Sequence, residues 1–390
     1  MAHPPSLACE HCRANAWRRL DPGSQLLRKQ ELLHEALAEL GHTPGLPLLQ
    51  PSPRNEGFRN SVKLRLEKRR GRLVAGLYDD NSHRVLAAEA CPDHHPIIGR
   101  LLPTVLEAVA SCGLPVYREA SGEGLISHLV LRALDGQGAL LCLVLRDHGL
   151  PAEVPVEEAP WWPVCQRLAR QIEAWDGLCI QIQISLQRER GNRILGREMR
   201  TLLGPAVISR RFLDTPVGVN SAAFMQANLA QYHTILGTLC DRACQHPVER
   251  VADLFCGAGG IGLSLAARMQ PRPRLLLVEN DPLAAELLQH GCGEGVDVLN
   301  GDALHSLSLL REMRPGLLVV NPPRKGLGEE LARWIADSEI PRVFYLSCNP
   351  QSLARDAGLL RAAYGIAGLN AWDMIPNSPH IECLMELERN

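Results

Sequence analysis

Hydrophobic and polar positions alternate with different periods along the chain. Between residues 23 and 41, apolar side chains recur at helical spacing and predict a helix that ends at Gly41. From about 55 to 215, short apolar segments predict helices near 97–112 and 163–174 and, around them, a set of strands. These strands are Ser61–Leu66, Arg72–Leu77, Ser127–Ala133, Ala139–Leu145 and Ile180–Ser185. The central stretch therefore has the pattern of a β-rich α+β domain.

After residue 216, predicted strands alternate with predicted helices. The strands are 249–255, 275–278, 296–299, 317–321 and 343–347, followed by two closing strands near 367–374 and 381–387. Such alternation is typical of an α/β fold, with a doubly wound parallel sheet and helices on both faces. We therefore predict an N-terminal segment with a cysteine motif and a helix (1–54), a central β-rich domain (55–215) and an α/β domain (216–390).

Composition and charge are those of an ordinary globular protein. The 390 residues include 41 Lys and Arg against 43 Asp and Glu, a net charge of −2, and 46% are hydrophobic. These values exclude disorder, collagen and coiled coil as descriptions of the whole chain. Aromatic residues make up 4%, which argues against aromatic stacking as the main binding device. Any contact with nucleic acid therefore requires a local basic patch.

The sequence gives no indication of secretion or of a membrane partner. No window reaches the roughly 18 apolar residues that a membrane-spanning helix requires. The first residues, MAHPPSLACEHC, lack the basic and apolar regions of a secretory signal. We therefore expect a cytoplasmic monomer whose 13 cysteines are mostly buried thiols.

A glycine-rich turn follows the first strand of the predicted α/β domain. The segment Asp253–Gly262, DLFCGAGGIG, leaves that strand and opens a helix. Glycines at this place let a ligand approach the backbone at the helix N-terminus. Glu279 ends the next strand, where an acidic side chain can accept hydrogen bonds from a ribose diol. NAD enzymes and S-adenosylmethionine (SAM) methyltransferases both use this arrangement, so the turn alone leaves both cofactors open.

Three further candidate groups lie in or beside later predicted strands, and doubly wound sheets bind ligands beyond the carboxyl ends of their strands. Asn321 begins the sequence NPPR. Cys348 precedes a helix that begins at Pro350, and the positive end of that helix favours a thiolate, so Cys348 is a candidate nucleophile. Glu382 lies on the same strand face as His380 and is a candidate general base. An inert buried cysteine and an ordinary surface glutamate are the alternatives.

Together these segments closely resemble the RNA (uracil-C5)-methyltransferase family. DLFCGAGGIGL, NPPRKGL, YLSCNPQSLARD and DMIPNSPHIE occur in the order typical of that family. Upstream, Phe58–Asn60 is similar to the family's (Y/F)RN, Phe224–Asn228 to its FxQxN, and Asn192–Gly196 to a further family segment. The resemblance covers nearly the whole chain. It implies a class I SAM-dependent methyltransferase domain, with a Rossmann-like doubly wound sheet, that follows an RNA-binding domain.

The resemblance also implies a role for each matching residue. Cys348 would add to carbon 6 of uracil, so that carbon 5 can attack the methyl group of SAM. Glu382 would then remove the carbon 5 proton. The residues implied in SAM binding are Gln226, Phe255, Gly260, Glu279, Asp302 and Asn321.

Basic residues outside the α/β domain are the expected contacts with RNA phosphates. The run Lys63–Arg72 carries six basic residues and one acidic residue, and residues 188–211 contain seven arginines. A solvated strand face is the alternative explanation for each cluster. The residues expected to bind RNA are Arg59, Asn60, Lys63, Arg65 and Arg193.

The target expected from the resemblance is a loop or flipped-out uridine of 23S rRNA. The asparagine of NPPR and the absence of an added N-terminal OB-type domain favour rRNA. The T-loop uridine of tRNA is the alternative substrate for the same reaction. A non-catalytic RNA-binding protein and an NAD oxidoreductase are alternatives of other classes.

Three cysteines match part of the iron–sulfur ligand pattern found in many members of the family. Cys9 and Cys12 form a CxxC pair, and Cys91 matches a later ligand. The family's first cysteine is missing, and His3 lies near its place. The alternatives are a 4Fe–4S cluster with His3 as fourth ligand, a three-cysteine site, a shortened start of the sequence, a zinc site and a lost cluster.

Overall fold

The computed structural model describes residues 9–40, 47–79, 82, 84–191, 193–213 and 215–390. The chain forms two compact units, each assembled from separate stretches of sequence. The first unit draws on Met1–Arg19, Arg54–Ile208 and Asn220–Asn228, and the second on Leu20–Pro53, Ser209–Val219 and Leu229–Asn390. The division into domains at 54/55 and 215/216 stays a prediction.

The described residues form α-helices, short 3-10 helices and strands, which are numbered in chain order. The α-helices are α1 (Glu10–Ala14), α2 (Pro22–Leu37), α3 (Pro96–Cys112), α4 (Trp162–Asp176), α5 (Leu229–Cys244), α6 (Gly260–Arg268), α7 (Pro282–Gly291), α8 (Leu307–Met313), α9 (Glu329–Asp337) and α10 (Pro350–Leu360). Short 3-10 helices lie at Ala16–Arg19, Ala38–Leu40, Val156–Glu158 and Ala303–Ser306. The strands are β1 (Leu49–Gln50), β2 (Ser61–Arg69), β3 (Arg72–Tyr78), β4 (Val85–Ala87), β5 (Ile126–Leu134), β6 (Gly138–Arg146), β7 (Cys179–Gln187), β8 (Glu198–Leu203), β9 (Ile208–Phe212), β10 (Thr215–Val219), β11 (Arg250–Leu254), β12 (Arg274–Glu279), β13 (Val296–Asn300), β14 (Leu317–Val320), β15 (Arg342–Ser347), β16 (Tyr364–Trp372) and β17 (Glu382–Arg389).

Every strand and helix predicted from the periodicity is present, with ends that differ by a few residues. The helix predicted to end at Gly41 is α-helical only as far as Leu37 and continues as a 3-10 turn to Leu40, while Gly41 lies outside the described residues. The strand predicted to end at residue 374 ends at Trp372, and the next residue, Asp373, pairs with Lys29 of α2 through its side chain. Periodicity therefore identified the elements, whereas their ends lie within a few residues of the predicted ones.

The first unit is built on a seven-stranded sheet with the order β4-β3-β2-β5-β6-β7-β8. All neighbouring strands are antiparallel except β6 and β7, which are parallel because α4 connects them across the sheet. The central strand β5 is buried along its whole length. Leu129 and Leu131 pack into the main core, while Val130 packs with Ile194 and Leu195 in a smaller cluster. This alternation shows that both faces of β5 are covered.

The second unit is built on an eight-stranded sheet with the order β1-β16-β17-β15-β14-β11-β12-β13. Its strands are parallel except β17, which runs antiparallel to both β15 and β16. The strand order reverses between β14 and β11, and ligands of such sheets bind at the carboxyl ends of the strands next to this reversal. The structure thus confirms the predicted doubly wound α/β sheet.

Asp356 of α10 fixes the segment that follows β14 and carries the NPPR sequence. Its fully buried carboxylate accepts hydrogen bonds from the backbone N–H of Leu327 at 2.7 Å and the hydroxyl of Tyr345 at 2.8 Å. Gly326 has a φ of +82°, and a Cβ atom there would lie 2.3 Å from the Asp356 carboxylate. Glycine is therefore required at position 326 for this turn to approach α10.

Helices of the length and apolar character needed to cross a lipid bilayer do not occur in the part of the chain that the structure describes.

Candidate active site

The turn between β11 and α6 is tight and strained. Phe255 and Gly257 both have left-handed backbone conformations, with φ values of +59° and +57°. This conformation costs a residue with a side chain roughly 1–2 kcal/mol, and such outliers concentrate at functional sites. A Cβ atom at Gly257 would meet nothing within 4 Å, so space in front of this backbone is open for a ligand.

Glu279, at the end of β12, ties the neighbouring strand to this turn. Its carboxylate accepts the N–H of Gly257 at 2.8 Å with one oxygen and the N–H of Asp281 at 2.8 Å with the other. A carboxylate has about four acceptor positions, so both oxygens keep capacity for a further donor. Glu279 can therefore hold the turn and accept hydrogen bonds from a diol at the same time.

Gly260, a predicted SAM contact, has a packing reason to be glycine. A Cβ atom at Gly260 would lie 2.9 Å from the Tyr232 hydroxyl oxygen of α5. Asp253 supports the same helix from the sheet, because its carboxylate accepts the N–H of Gly262 at 2.8 Å. Burial raises the pKa of Asp253 to about 7. Asp253 had no predicted role of its own, because periodicity does not show that an acidic side chain is fully buried.

Four of the predicted SAM contacts lie at the carboxyl ends of neighbouring strands. Asn321 follows β14, Phe255 follows β11, Glu279 ends β12, and Asp302 follows β13. Asp302 is exposed and caps a short 3-10 helix by accepting the N–H of Leu304 at 3.0 Å. The second unit therefore brings these four residues to one sheet edge. Gln226 belongs to the first unit, and its contact with SAM stays a prediction.

Cys348 and Glu382 lie at this same edge, on adjacent strands. Cys348 follows the last residue of β15, and Asn349 caps α10 by accepting the N–H of Gln351 at 3.2 Å. Ser347 pairs with Cys383 across the antiparallel strands, so the next position on each strand brings Cys348 opposite Glu382. Cys348 is half-buried and Glu382 is 4% exposed.

Arg324, the last residue of NPPR, contacts a histidine and lies near the thiol. Nη2 lies 3.0 Å from His380 Nε2, and the guanidinium charge lowers the pKa of Cys348. Its backbone carbonyl accepts the side-chain N–H of Asn349 at 3.0 Å. Arg324 had no predicted role, although its place after a strand-end NPP was a usable signal. The structure thus adds one cation to the pair of Cys348 and Glu382.

The charge states of this group differ from the sequence expectation. The helix N-terminus predicted a lowered pKa for Cys348, but burial and the nearby Glu382 charge raise it, opposed by the Arg324 guanidinium. Burial also raises the pKa of Glu382 to about 8. The expected thiolate preference is therefore wrong for the free site, because desolvation outweighs the favourable contributions.

The predicted RNA contacts of the first unit differ in exposure. Lys63 and Arg193 are exposed, and Arg59 is half-buried. Asn60 is buried, and its backbone N–H donates to the carbonyl of Ala227 at 2.6 Å.

Arg65 is also buried, and its hydrogen bonds serve the fold. Its guanidinium donates to the carbonyls of Ser127 and Tyr117 at 2.7 and 2.6 Å. Glu198 forms ion pairs with Arg188 and Arg200 and so neutralises part of the second arginine cluster. Basic runs in sequence therefore overstate the positive charge that is available to RNA.

Cys9, Cys12 and Cys91 form a buried three-thiol cluster. Their sulfur atoms all lie within 4.8 Å of one another, with 3.2 Å between Cys9 and Cys12 and 3.6 Å between Cys12 and Cys91. Two thiolates on one tetrahedral zinc ion would lie about 3.8 Å apart, given Zn–S bonds of about 2.3 Å. A 4Fe–4S cluster carries each thiolate on a different iron and requires wider spacing. The cluster therefore fits a single ion better. The predicted fourth ligand, His3, lies outside the described residues.

Comparison with known proteins gives relatives along the whole chain. A family model described as tRNA (uracil-5-)-methyltransferase matches residues 304–390. An uncharacterised RNA methyltransferase of Geobacter sulfurreducens is 31% identical over 379 residues, which cover 94% of this chain and 71% of the relative. Another, of Gloeobacter violaceus, is 30% identical over 394 residues, covering 99% of this chain and 82% of the relative.

A solved structure supports the fold. The tRNA (uracil-54, C5)-methyltransferase of Pyrococcus abyssi, in complex with S-adenosyl-L-homocysteine, matches with a TM-score of 0.74 and 20% identity, covering 99% of this chain and 87% of that chain. This likeness confirms the predicted fold class, a class I SAM methyltransferase fold with an additional β-rich domain.

The positive charge of Arg324 should affect the pH at which the Cys348 thiol reacts. Replacement of Arg324 by Gln removes the cation that lowers the Cys348 pKa, so the alkylation midpoint should move to higher pH. Alkylation at neutral pH should then become several-fold slower. Peptide mass spectrometry after timed exposure to iodoacetamide measures the rate at Cys348 alone.

Arg361→Gln is the matched control, since Arg361 is exposed beyond the far end of α10. It should leave the midpoint unchanged, and Arg324→Lys should shift it less than Arg324→Gln. An unchanged or lower midpoint in Arg324→Gln would show that the guanidinium does not control the thiol.

Proposed function

The chain belongs to a family of RNA methyltransferases, and its residues 304–390 match the tRNA (uracil-5-)-methyltransferase model, so we propose that it transfers a methyl group from SAM to carbon 5 of a uridine, through Cys348 and Glu382. The observation that carries the proposal is the register of β15 and β17. It brings a thiol and a carboxyl to facing positions at the sheet edge where the glycine turn opens. Arg324 adds a positive charge beside the thiol.

The strand-end residues of the second unit are the proposed SAM contacts. The ribose hydroxyls donate to the spare acceptor positions of Glu279, and the open space before Gly257 receives the amino-acid part of SAM. Phe255, Asp302 and Asn321 border this region on the neighbouring strands. Gln226 is a further proposed SAM contact, because it matches the glutamine of the family's FxQxN segment.

The first proposed step is covalent. The Cys348 sulfur forms a bond with carbon 6, and the electron pair of the carbon 5–carbon 6 double bond moves into an enolate. Carbon 5 then takes the methyl group, and the bond from that methyl to the sulfonium sulfur breaks, which leaves S-adenosylhomocysteine. Arg324 favours this step because its positive charge stabilises the attacking thiolate.

The second step needs Glu382 as an anion. It takes the carbon 5 proton, the freed electron pair restores the double bond, and the bond between Cys348 and carbon 6 breaks. Its raised pKa, about 8, means that the fraction of anion increases with pH through neutrality. While Cys348 is bound to carbon 6 it carries no charge, so its repulsion of the carboxylate is absent when the base must act.

We propose 23S rRNA as the substrate, because asparagine at position 321 is the family variant that favours it. Exposed Lys63 and Arg193, with Arg59, are the proposed phosphate contacts. The second candidate is a tRNA uridine. It is favoured by the description of the matching family model and by the activity in the name of the Pyrococcus abyssi enzyme.

Removal of the nucleophile should abolish the reaction and leave the cofactor site intact. Cys348→Ala should give no 5-methyluridine, because addition to carbon 6 cannot occur, while calorimetry shows unchanged SAM affinity. Cys244→Ala is the matched control, a half-buried cysteine of α5 outside the strand edge, and should retain activity. Methylation by Cys348→Ala would rule out the covalent route.

The RNA substrate can be identified in cells that lack this protein. Mapping of 5-methyluridine should show one 23S rRNA position lost, restored by the wild-type gene and not by Cys348→Ala. Loss in the tRNA T-loop would assign the second candidate substrate. Retention of every position in both RNAs would contradict the proposed function.

Removal of the base should trap the intermediate. In Glu382→Gln, addition and methyl transfer precede the blocked proton removal, so a covalent protein–RNA adduct should accumulate with SAM present. A denaturing gel detects it as a band that the double variant Cys348→Ala/Glu382→Gln does not form. Full turnover by Glu382→Gln without adduct would assign the base elsewhere.

We also propose that Cys9, Cys12 and Cys91 hold a structural metal ion, with zinc as the ion and a 4Fe–4S cluster as the alternative. The metal would hold α1 against the segment that carries Cys91, and it would take no part in methyl transfer.

Elemental analysis of the purified protein should find stoichiometric zinc, and Cys12→Ser should lose it and unfold at lower temperature. Cys112→Ser, at the end of α3, should keep its metal. Iron together with acid-labile sulfide would identify the 4Fe–4S cluster instead. A wild-type protein that contains no metal, and a Cys12→Ser variant as stable as wild type, would overturn the proposal.

A further inference from the structure

Helix α2 holds the loop 373–381, which connects β16 to β17, through a buried lysine. Lys29 is fully buried, and its ammonium group pairs with the Asp373 carboxylate. The same Nζ donates to the backbone carbonyls of Ile375 at 2.9 Å and His380 at 3.3 Å. These three acceptors, Asp373, Ile375 and His380, all lie on loop 373–381, and an ammonium group has protons enough to donate to each of them.

A glutamine one turn earlier holds the middle of the same loop. Gln25 Oε1 accepts the backbone N–H of Asn377 at 2.9 Å, and Gln25 Nε2 donates to the Asn377 side-chain oxygen at 3.0 Å. Asn377 has a left-handed backbone, with φ of +60°, and is buried. The two hydrogen bonds fix a conformation that an asparagine otherwise reaches only at some cost.

The loop ends at the chemical groups of the site. The Lys29 contact at the His380 carbonyl is two residues before Glu382, the first residue of β17. The side chain of His380 contacts Arg324, whose positive charge acts on Cys348. A shift of the loop would therefore displace the base and the cation together.

Stability alone does not explain why a buried ion pair holds this loop, because both charged groups lose their hydration on burial. Buried ion pairs often contribute no more stability than apolar residues of the same size, whereas they do define a geometry. Here the charged group lies on a helix that contributes no residue of its own to the strand edge. Three hydrogen bonds of Lys29 go to the loop that leads to Glu382.

We propose that Lys29 and Gln25 are positioning residues for methyl transfer, which set Glu382 and Arg324 relative to Cys348 through loop 373–381. The inference rests on the proposed function and deepens it, since neither residue touches the reacting atoms. Misplacement by about 1 Å far from the reacting atoms can slow an enzyme roughly a hundredfold. We expect the rate of the chemical step to respond, and the binding of SAM to remain as it is.

The experiment compares two glutamines of the same helix. Gln25→Ala removes both bonds to Asn377 and one to the Leu20 carbonyl. Gln30→Ala removes two bonds to the backbone of Pro47 and Leu49 and one to the His34 ring, all outside the loop. Single-turnover methylation with saturating SAM and RNA should slow about tenfold or more in Gln25→Ala and stay within about twofold in Gln30→Ala. SAM affinity and KM for RNA should match wild type in both.

Two outcomes would overturn the inference. One is a rate in Gln25→Ala within about twofold of wild type. The other is an equal loss of rate in both variants that follows their unfolding temperatures, which would indicate general destabilisation. Lys29→Met is a secondary test, because an unpaired buried Asp373 can prevent folding, whereas Gln25→Ala leaves the ion pair in place.

Failure of the inference is distinguishable from failure of the proposed function. If wild type methylates uridine and Cys348→Ala does not, the function stands whatever the Gln25 variant does. A wild-type protein without methylation of any uridine would remove the function and the inference together. An active wild type with an unaffected Gln25→Ala would remove the inference alone.

Discussion

The site depends on one strand that runs against its neighbours. Parallel strands all end at the same edge of a sheet, so a parallel strand brings to that edge only the residues that come after its last position. Because β17 is antiparallel to β15, it begins where β15 ends, and its first residue, Glu382, faces Cys348. If β17 were parallel, Glu382 would lie at the opposite edge, roughly 20 Å away over six residues. The carboxyl would then be beyond reach of any group on Cys348.

Burial gives this arrangement its electrostatic character. Burial raises the pKa values of both the Cys348 thiol and the Glu382 carboxyl, and the charge of Glu382 raises that of the thiol further. A thiol and a carboxyl close together in a poorly solvated place cannot both be charged at low cost. Arg324 stabilises one negative charge at the site. In the proposed reaction the charge is first on sulfur and later on the carboxylate, so the protein needs to stabilise only one anion at each stage. The proposed order of steps therefore never requires the site to hold two negative charges at once.

The sequence was sufficient for the elements and for most strand-end residues. Strand and helix periods predicted both sheets, and the turns after β11, β12, β14 and β15 carry recognisable residue types. Burial was much harder to predict. Arg65 is in a basic run but bonds the carbonyls of Ser127 and Tyr117, and the raised pKa of Cys348 reflects a desolvation that the adjacent helix end does not offset. Contacts between distant segments, such as Lys29 with Asp373, have no local signal at all.

That last contact has a consequence for how the protein is made. Lys29 and Asp373 are 344 positions apart, and β1 pairs with β16 near the same place. The second unit therefore cannot close before nearly the whole chain has left the ribosome. Until then α2 lacks its partners, and Leu33 and Leu37, buried in the folded protein, are exposed on a nascent chain. Synthesis of this enzyme thus includes a long interval in which a helix destined for the core is open to chaperones or to aggregation.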